Sequence, residues 1–209
     1  IRFLSYFAQL GVSPALVQKP ELSERDIRAA LTLSVGINAV LFALMWLLAP
    51  LAAAFFGNPE VTPILRGLSA AFLFSGFSVI SLGLLRRNLR FKQLAVVEIV
   101  SYILGYGAIG IGSALNGYGV WSLVFAVIGQ EAITLAASYA FVRHSLRPIF
   151  AWADIRHFLH YGGKYSVIGF LEYIGANVDS LLIGRWYGET ALGFYNRAQM
   201  LVKLPMHHI

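Results

Sequence analysis

The sequence has 209 residues and no cysteine, so it offers neither disulfides nor thiolate metal ligands. It is also short of charge. Asp, Glu, Lys and Arg together make up 12% of the chain, against about 25% in an ordinary soluble domain. Residues 29–56 and 67–85 contain no charged side chain at all. A helix crosses hydrocarbon with about 20 mostly apolar residues, so both runs are long enough to span. Only helices or closed barrels satisfy the backbone inside lipid. These runs are too long and too continuous for alternating barrel strands. The expected fold is therefore all-α, a polytopic transmembrane helical bundle.

Catalytic motifs are missing as well. No nucleophile elbow, phosphate-binding P-loop or HExxH helix occurs, so an enzyme is not expected. Gly105-Tyr106-Gly107-Ala108-Ile109-Gly110 fits GxGxxG, but it lies inside an apolar run and reads as helix packing. His157 and His160 have no third partner for a metal. A net charge of +6 and a pI near 9.7 raise the question of nucleic acid. No basic stripe with stacking aromatics supports it, so no nucleic-acid partner is expected.

What is present is a hydrophobic share of 58% and a mean hydropathy of +0.69. Apolar runs cover about 1–17, 29–56, 64–85, 93–115, 119–142 and 165–184. The joints between them alternate in charge. Lys19, Arg25 and Arg28 sit in the first, Arg86, Arg87, Arg90 and Lys92 in the third, and Arg143, Arg147, Arg156 and Lys164 in the fifth. The second, Gly57 to Pro63, and the fourth, Asn116 to Gly119, have no Lys or Arg. Short cytoplasmic loops are enriched in Lys and Arg, so the basic joints are expected on the cytoplasmic side, next to anionic lipid. Pro20 and Ser23 with nearby acids read as a helix start, and Gly57-Asn58-Pro59-Glu60 as a helix-breaking turn. Residues 151–159 place Trp152, Ile155, Phe158 and Leu159 on one face, as in an interfacial amphipathic helix. Another span is expected from about Ala191. The ends of the sequence fall inside apolar runs and suggest a piece of a longer polytopic protein, with the first run a clipped span.

Ionisable residues inside spans cost free energy and are functional candidates. Glu131 and Glu172 fall near mid-bilayer by helical rise, and Asp179 shares a face with Glu172 seven residues earlier. Gly175 and Ala176 lie between them, with Asn177 alongside. Such acids suit proton or cation coupling, or a polar seam between helices. Glu98 lies close to Arg90 and Lys92 and reads as a snorkelling or paired interface acid. Arg185 and Arg197 are candidate grips for an anionic head group, because guanidinium matches phosphate through a planar fork. Arg66 and Arg185 also read as interface arginines snorkelling towards water. No metal site is expected.

Several segments resemble one family. Asn177-Val178-Asp179-Ser180-Leu181-Leu182-Ile183-Gly184-Arg185, running through Gly188 to Ala191-Leu192-Gly193-Phe194-Tyr195-Asn196-Arg197-Ala198 and Leu204-Pro205, is similar to the "N-x-D-x-x-L-I-G-R-x-x-G … A-L-G-x-Y-x-R-A … L-P" stretch of Wzx-type polysaccharide-export flippases. These belong to the multidrug/oligosaccharidyl-lipid/polysaccharide exporter superfamily. Gln9 to Gln18 is similar to "D-L-G-x-S-x-A-L-I-Q", Leu84 to Phe91 to "L-L-R-R-x-L-R-F", and Gly117 to Leu123 to "G-x-G-x-W-A-L". The resemblance implies two six-helix lobes. Residues 1–142 would form most of the first, 143–164 a cytoplasmic linker, and 165–209 the start of the second. It implies flipping of an undecaprenyl-diphosphate-linked oligosaccharide across a bacterial inner membrane, with membrane lipids and polysaccharide polymerase or export machinery as partners and no cofactor. A cation-coupled multidrug exporter of the same superfamily, and a non-transporting membrane scaffold, remain alternatives. On this reading Arg185, Arg197 and Asn177 face substrate, and Glu131, Glu172 and Asp179 couple the ion.

Overall fold

The computed structural model describes residues 12–149, 171, 174–175 and 177–206. The amphipathic segment 151–159, the pair His157 and His160, residues 1–11 of the first run, and Glu172 lie outside the described residues.

Helix α1 is Val12–Gln18, α2 is Glu24–Phe56, α3 is Val61–Arg87, α4 is Phe91–Leu115 and α5 is Trp121–Phe141. Residues 177–186 form α6, and Gly188–Met206 forms α7. Helices α2 to α5 are each long and apolar enough to cross a membrane, and the molecule is an all-α polytopic membrane bundle. Helix α7 starts near the expected place but is not among those four. Glu189, Asn196, Arg197, Gln199 and Lys203 dilute its apolar character.

Local chemistry sets the boundaries. Ser23 caps α2 by accepting from the Asp26 amide at 3.2 Å, and the Asp26 carboxylate accepts from the Ser23 amide at 3.0 Å. This reciprocal capping satisfies two amides that the first turn leaves open. Lys19 closes the turn with a 2.5 Å ion pair to Asp26. At the other end Gly57 takes φ 69°, a left-handed conformation that suits glycine, and its amide bonds back to the Ala53 carbonyl.

Helix α3 is the centre of the bundle, with 61% of its most apolar window buried, against 22% or less in the other three spans. It packs on α1, α2 and α5. Close approach depends on small residues, as is usual where lipid gives helices no solvophobic drive to associate. A Cβ at Gly76 would stand 3.0 Å from the Cβ of Asn38, and Ser34 donates to the Gly76 carbonyl at 2.8 Å. The α4–α5 contact is tighter. A Cβ at Gly105 would lie 2.7–2.9 Å from the Cβ and backbone of Gln130, and Gly110 abuts Ala126. Residues Ile103–Gly110 are wound as a π-helix, so the GxGxxG run is helix-packing sequence, as expected. The outer faces of α2 and α4, with Leu47, Leu51, Ile99 and Ile103 exposed, are apolar surface for lipid.

The two kinds of joint lie at opposite ends. Arg87, at the end of α3, reaches carbonyls of the α1–α2 joint, and Arg28 of α2 reaches Arg147 and Pro148 beyond α5. The first, third and fifth joints thus share one end, hereafter the basic end. At the turn end Gly67 of α3 meets Trp121 and Val124 at the start of α5.

Candidate functional site

Inside the bundle, α1, α3, α4 and α5 enclose a half-open cavity of about 200 Å³. Helix α3 contributes Ser75, Ser78, Val79, Leu82 and Arg86, a stripe at helical spacing. Helix α5 contributes Gln130, Glu131 and Thr134, α4 contributes Glu98, and α1 contributes Ser13. Gln130 is positioned by the Gly105 contact, where α4 touches the α5 backbone. Arg86 donates to Ser13 Oγ at 3.2 Å, and Ser78 Oγ donates to the Ser75 carbonyl at 3.1 Å. Among the described residues neither Glu98 nor Glu131 has a hydrogen bond or an ion pair.

Sequence reasoning named Glu131 and read Glu98 as a snorkelling or paired interface acid near Arg90 and Lys92. Glu98 is exposed, has no ion pair among the described residues, and lines the same cavity as Glu131. Ser75, Ser78, Arg86, Gln130 and Thr134 were missed. The signal was the polar stripe Ser75-Ser78-Arg86 running in phase along an otherwise apolar helix. On the other side of the α3–α5 pair is an apolar groove of about 450 Å³, lined by Phe74, Phe77, Leu135, Tyr139 and Leu146.

The remaining candidates lie elsewhere. Asn177, Asp179, Arg185 and Arg197 do not line the cavity. Asp179 accepts from the Tyr195 hydroxyl, from Gln199 at 3.4 Å and from the Ser180 amide at 2.8 Å, which ties α6 to α7. Ser180 Oγ faces the Asn196 side chain at 3.5 Å in the same hairpin. Arg185 sits 5.5 Å from the Phe55 ring centroid, and Gly184 packs against Phe56, so α6 meets α2 at the turn end. Arg197 is exposed and has no hydrogen bond or ion pair among the described residues. Arg66 does not simply snorkel. Pro50 has no amide hydrogen to give the Trp46 carbonyl four residues earlier. Arg66 Nε donates to that carbonyl at 3.3 Å, and its guanidinium lies 4.0 Å from the Trp46 ring centroid.

Among the described residues no group of three His, Asp or Glu could hold a metal ion.

A sequence model of the family described as polysaccharide biosynthesis protein matches residues 1–209. The teichuronic acid biosynthesis protein TuaB of Bacillus subtilis is 27% identical over 206 residues, covering 98% of this chain and 42% of that protein. The lipopolysaccharide biosynthesis protein WzxC of Escherichia coli is 22% identical over 200 residues, 95% of this chain and 40% of its own length. The succinoglycan biosynthesis transport protein ExoT of Rhizobium meliloti is 22% identical over 205 residues, 98% of this chain and 41% of its own length. The chain thus spans about two fifths of the length of the curated relatives it matches. No solved structure matches it.

Proposed function

The chain belongs to the family of polysaccharide biosynthesis proteins, and on that premise we propose that it forms part of a flippase for lipid-linked oligosaccharides. The substrate is an undecaprenyl-diphosphate-linked oligosaccharide carried from the inner to the outer leaflet of a bacterial inner membrane. Residues 1–142 belong to one lobe, 143–164 link it to the next, and 165–209 open the second. The three relatives are named for three different glycans. The shared chemistry is then sought in the diphosphate and the lipid. A diphosphate crossing low-dielectric space needs cations to offset its desolvation, and rocking of two lobes exposes such a site to each side in turn.

The observation that carries this reading is Arg197. It is an exposed cation on α7, between Asn196 and Gln199, with no partner among the described residues. Its planar fork suits a phosphate oxygen pair, with Arg185 and Asn177 further along the same hairpin. Glu131, Glu172 and Asp179 supply coupling charge, Asp179 through its link to Tyr195. Export machinery for the finished polymer is the expected partner. The test is surface polysaccharide in cells carrying Arg197→Ala or Arg185→Ala at unchanged protein level. Loss of one bidentate charged contact predicts a drop of about tenfold for Arg197→Ala. Normal polymer in both variants overturns the phosphate grip.

A further inference from the structure

We infer that the apolar groove between α3 and α5 seats one acyl chain of an anionic phospholipid from the leaflet at the basic end, with the lipid phosphate held by Arg143 and Arg147.

Depth gives the first argument. The groove runs along α5 from Ala132 through Ala136 and Tyr139 and ends at Leu146, in the joint at the basic end, with Phe74 and Phe77 opposite on α3. From Ala132 to the last helical residue, Phe141, is about 14 Å of helix. Half of a hydrocarbon core about 30 Å thick is about 15 Å. The groove therefore starts at the basic-end surface and stops near the bilayer midplane, which is the reach of one chain of one leaflet.

Cross-section gives the second. A volume of about 450 Å³ over that length leaves a mean section of about 32 Å². A bare helix about 10 Å across needs about 80 Å². A helix of a second copy would lie outside a groove this slim, whereas a hydrocarbon chain fits within it. Both walls are apolar, and they stand among helices whose outer faces meet lipid, so hydrocarbon rather than water fills the space. The far longer undecaprenyl chain would overrun it.

The third argument is the charge at the mouth. The described part of the joint after α5 carries Arg143 and Arg147 on either side of Leu146, and no acid. Both arginines are exposed, and among the described residues neither guanidinium has a hydrogen bond or an ion pair. The arginines at the end of α3 are occupied, Arg86 by Ser13 and Arg87 by carbonyls of the α1–α2 joint. Arg28 of α2 brings a third guanidinium to the mouth through the Arg147 and Pro148 carbonyls. A guanidinium fork matches two phosphate oxygens, and basic pockets on the cytoplasmic side of helices bind anionic head groups. The turn end offers no such mouth, since its joints have no Lys or Arg.

The inference stands on the membrane bundle and not on the flippase reading, so either can fail without the other. Native mass spectrometry of the full-length protein tests it, with detergent micelles holding phosphatidylglycerol and phosphatidylcholine in equal amounts. The last lipid retained should be a single phosphatidylglycerol, preferred about tenfold or more over phosphatidylcholine. Arg143→Gln with Arg147→Gln should remove that preference, while Arg90→Gln with Lys92→Gln, in another joint of the same end, leaves it. Ala136→Phe fills the groove without altering charge and should lower retention of both lipids severalfold. Should that variant not fold, Leu146→Gln at the exposed mouth is read in the same way. Loss of preference in the Arg143 and Arg147 variant alone, together with lower retention in the groove variant, supports the site. No preference in the native protein overturns it. So does an equal loss from the Arg90 and Lys92 variant, which would make the effect one of general surface charge. Undiminished retention in the groove variant also overturns it, because another part of the protein would then cover the groove. A second copy of the chain retained in place of lipid does the same, and makes this face a contact between copies.

Discussion

The two ends of the bundle are closed by different physics. At the basic end, side chains from one helix bind open carbonyls of another segment. Arg87 donates to the carbonyls of Leu16 at 2.7 Å, Val17 at 3.3 Å, Lys19 at 2.5 Å and Pro20 at 2.9 Å. Those are carbonyls that the end of α1 and the following turn leave without amide partners. Arg28 does the same for Arg147 at 3.0 Å, and the Ile149 amide donates to Thr32 Oγ1 at 2.9 Å. At the turn end the bonds are local. Glycines with positive φ reverse the chain, Asn58 accepts from the Glu60 amide at 3.0 Å, and Asn116 donates to the Gly112 carbonyl at 2.7 Å. Residues that orient a membrane protein by charge therefore also fasten this one. The turn end, without Lys or Arg in its joints, is held by helix packing and backbone conformation. Arg66 follows the basic-end logic from within a span, because Pro50 leaves it a carbonyl to answer.

The largest effect that separates the ends belongs to Arg87. Hydrogen bonds from charged donors contribute about 1.5–3 kcal/mol each, and neighbouring ones share their effect. Arg87→Ala should destabilise the bundle by about 2–4 kcal/mol, read as a lower unfolding midpoint and reduced protein level. Arg87→Lys keeps the charge but replaces the fork with a single point donor, and should recover only part of it. If Lys restored the full midpoint, charge alone would be closing the basic end and the carbonyl contacts would not matter.

The sequence was most informative where a single physical rule dominates. Hydrocarbon thickness sets helix length, so the apolar runs matched α2 to α5 to within a few residues, and Ser23 and Gly57 marked both ends of α2. Loop charge predicted which joints meet, and the Arg28 and Arg87 contacts bring those joints together. Sequence reasoning was weaker where phase between helices decides. The depth of Glu98 was readable, but which neighbour it shares a space with depends on how α4 is rotated against α5. That rotation is fixed by the π-helical stretch and the Gly105 contact, and no single helix reveals it. Pairing was likewise hidden for Asp179, since Tyr195 and Gln199 meet it only once α6 and α7 fold back on each other.

At the turn end the expected effects are smaller and set by the backbone. Gly117 takes φ 82°, and no neighbour would touch an added Cβ, so strain is the main cost of a side chain there. Gly117→Ala should destabilise by about 1 kcal/mol. Gly112 is equally open but helical, and there Ala should stabilise by about 0.5–1 kcal/mol through helix propensity. Opposite signs from two glycines five residues apart would confirm that conformation governs this end. Equal signs would point to side-chain contacts instead.

The smallest effect is a pH dependence confined to the basic end. His144 follows α5, with Nε2 3.1 Å from the buried Ser81 hydroxyl, its ring packed edge-on at 5.4 Å from Tyr139, and its carbonyl accepting from the Tyr139 hydroxyl at 3.2 Å. Burial holds the imidazole below its ordinary value, and this outweighs the contact with the Ser145 carbonyl, which acts the other way. The folded state therefore binds fewer protons than the unfolded chain once the pH approaches the ordinary histidine value of about 6.5. Stability is full above that pH and falls as the pH drops through it, until the folded imidazole itself becomes protonated. His144→Gln keeps a group that can bond Ser81 and cannot titrate. Between pH 7.5 and 5.5 the unfolding midpoint of the native protein should fall further than that of the variant. Parallel curves would mean that His144 contributes no proton linkage, and the pH sensitivity of this end would then have to arise from its carboxylates, of which Asp26 is held by Lys19 and Ser23.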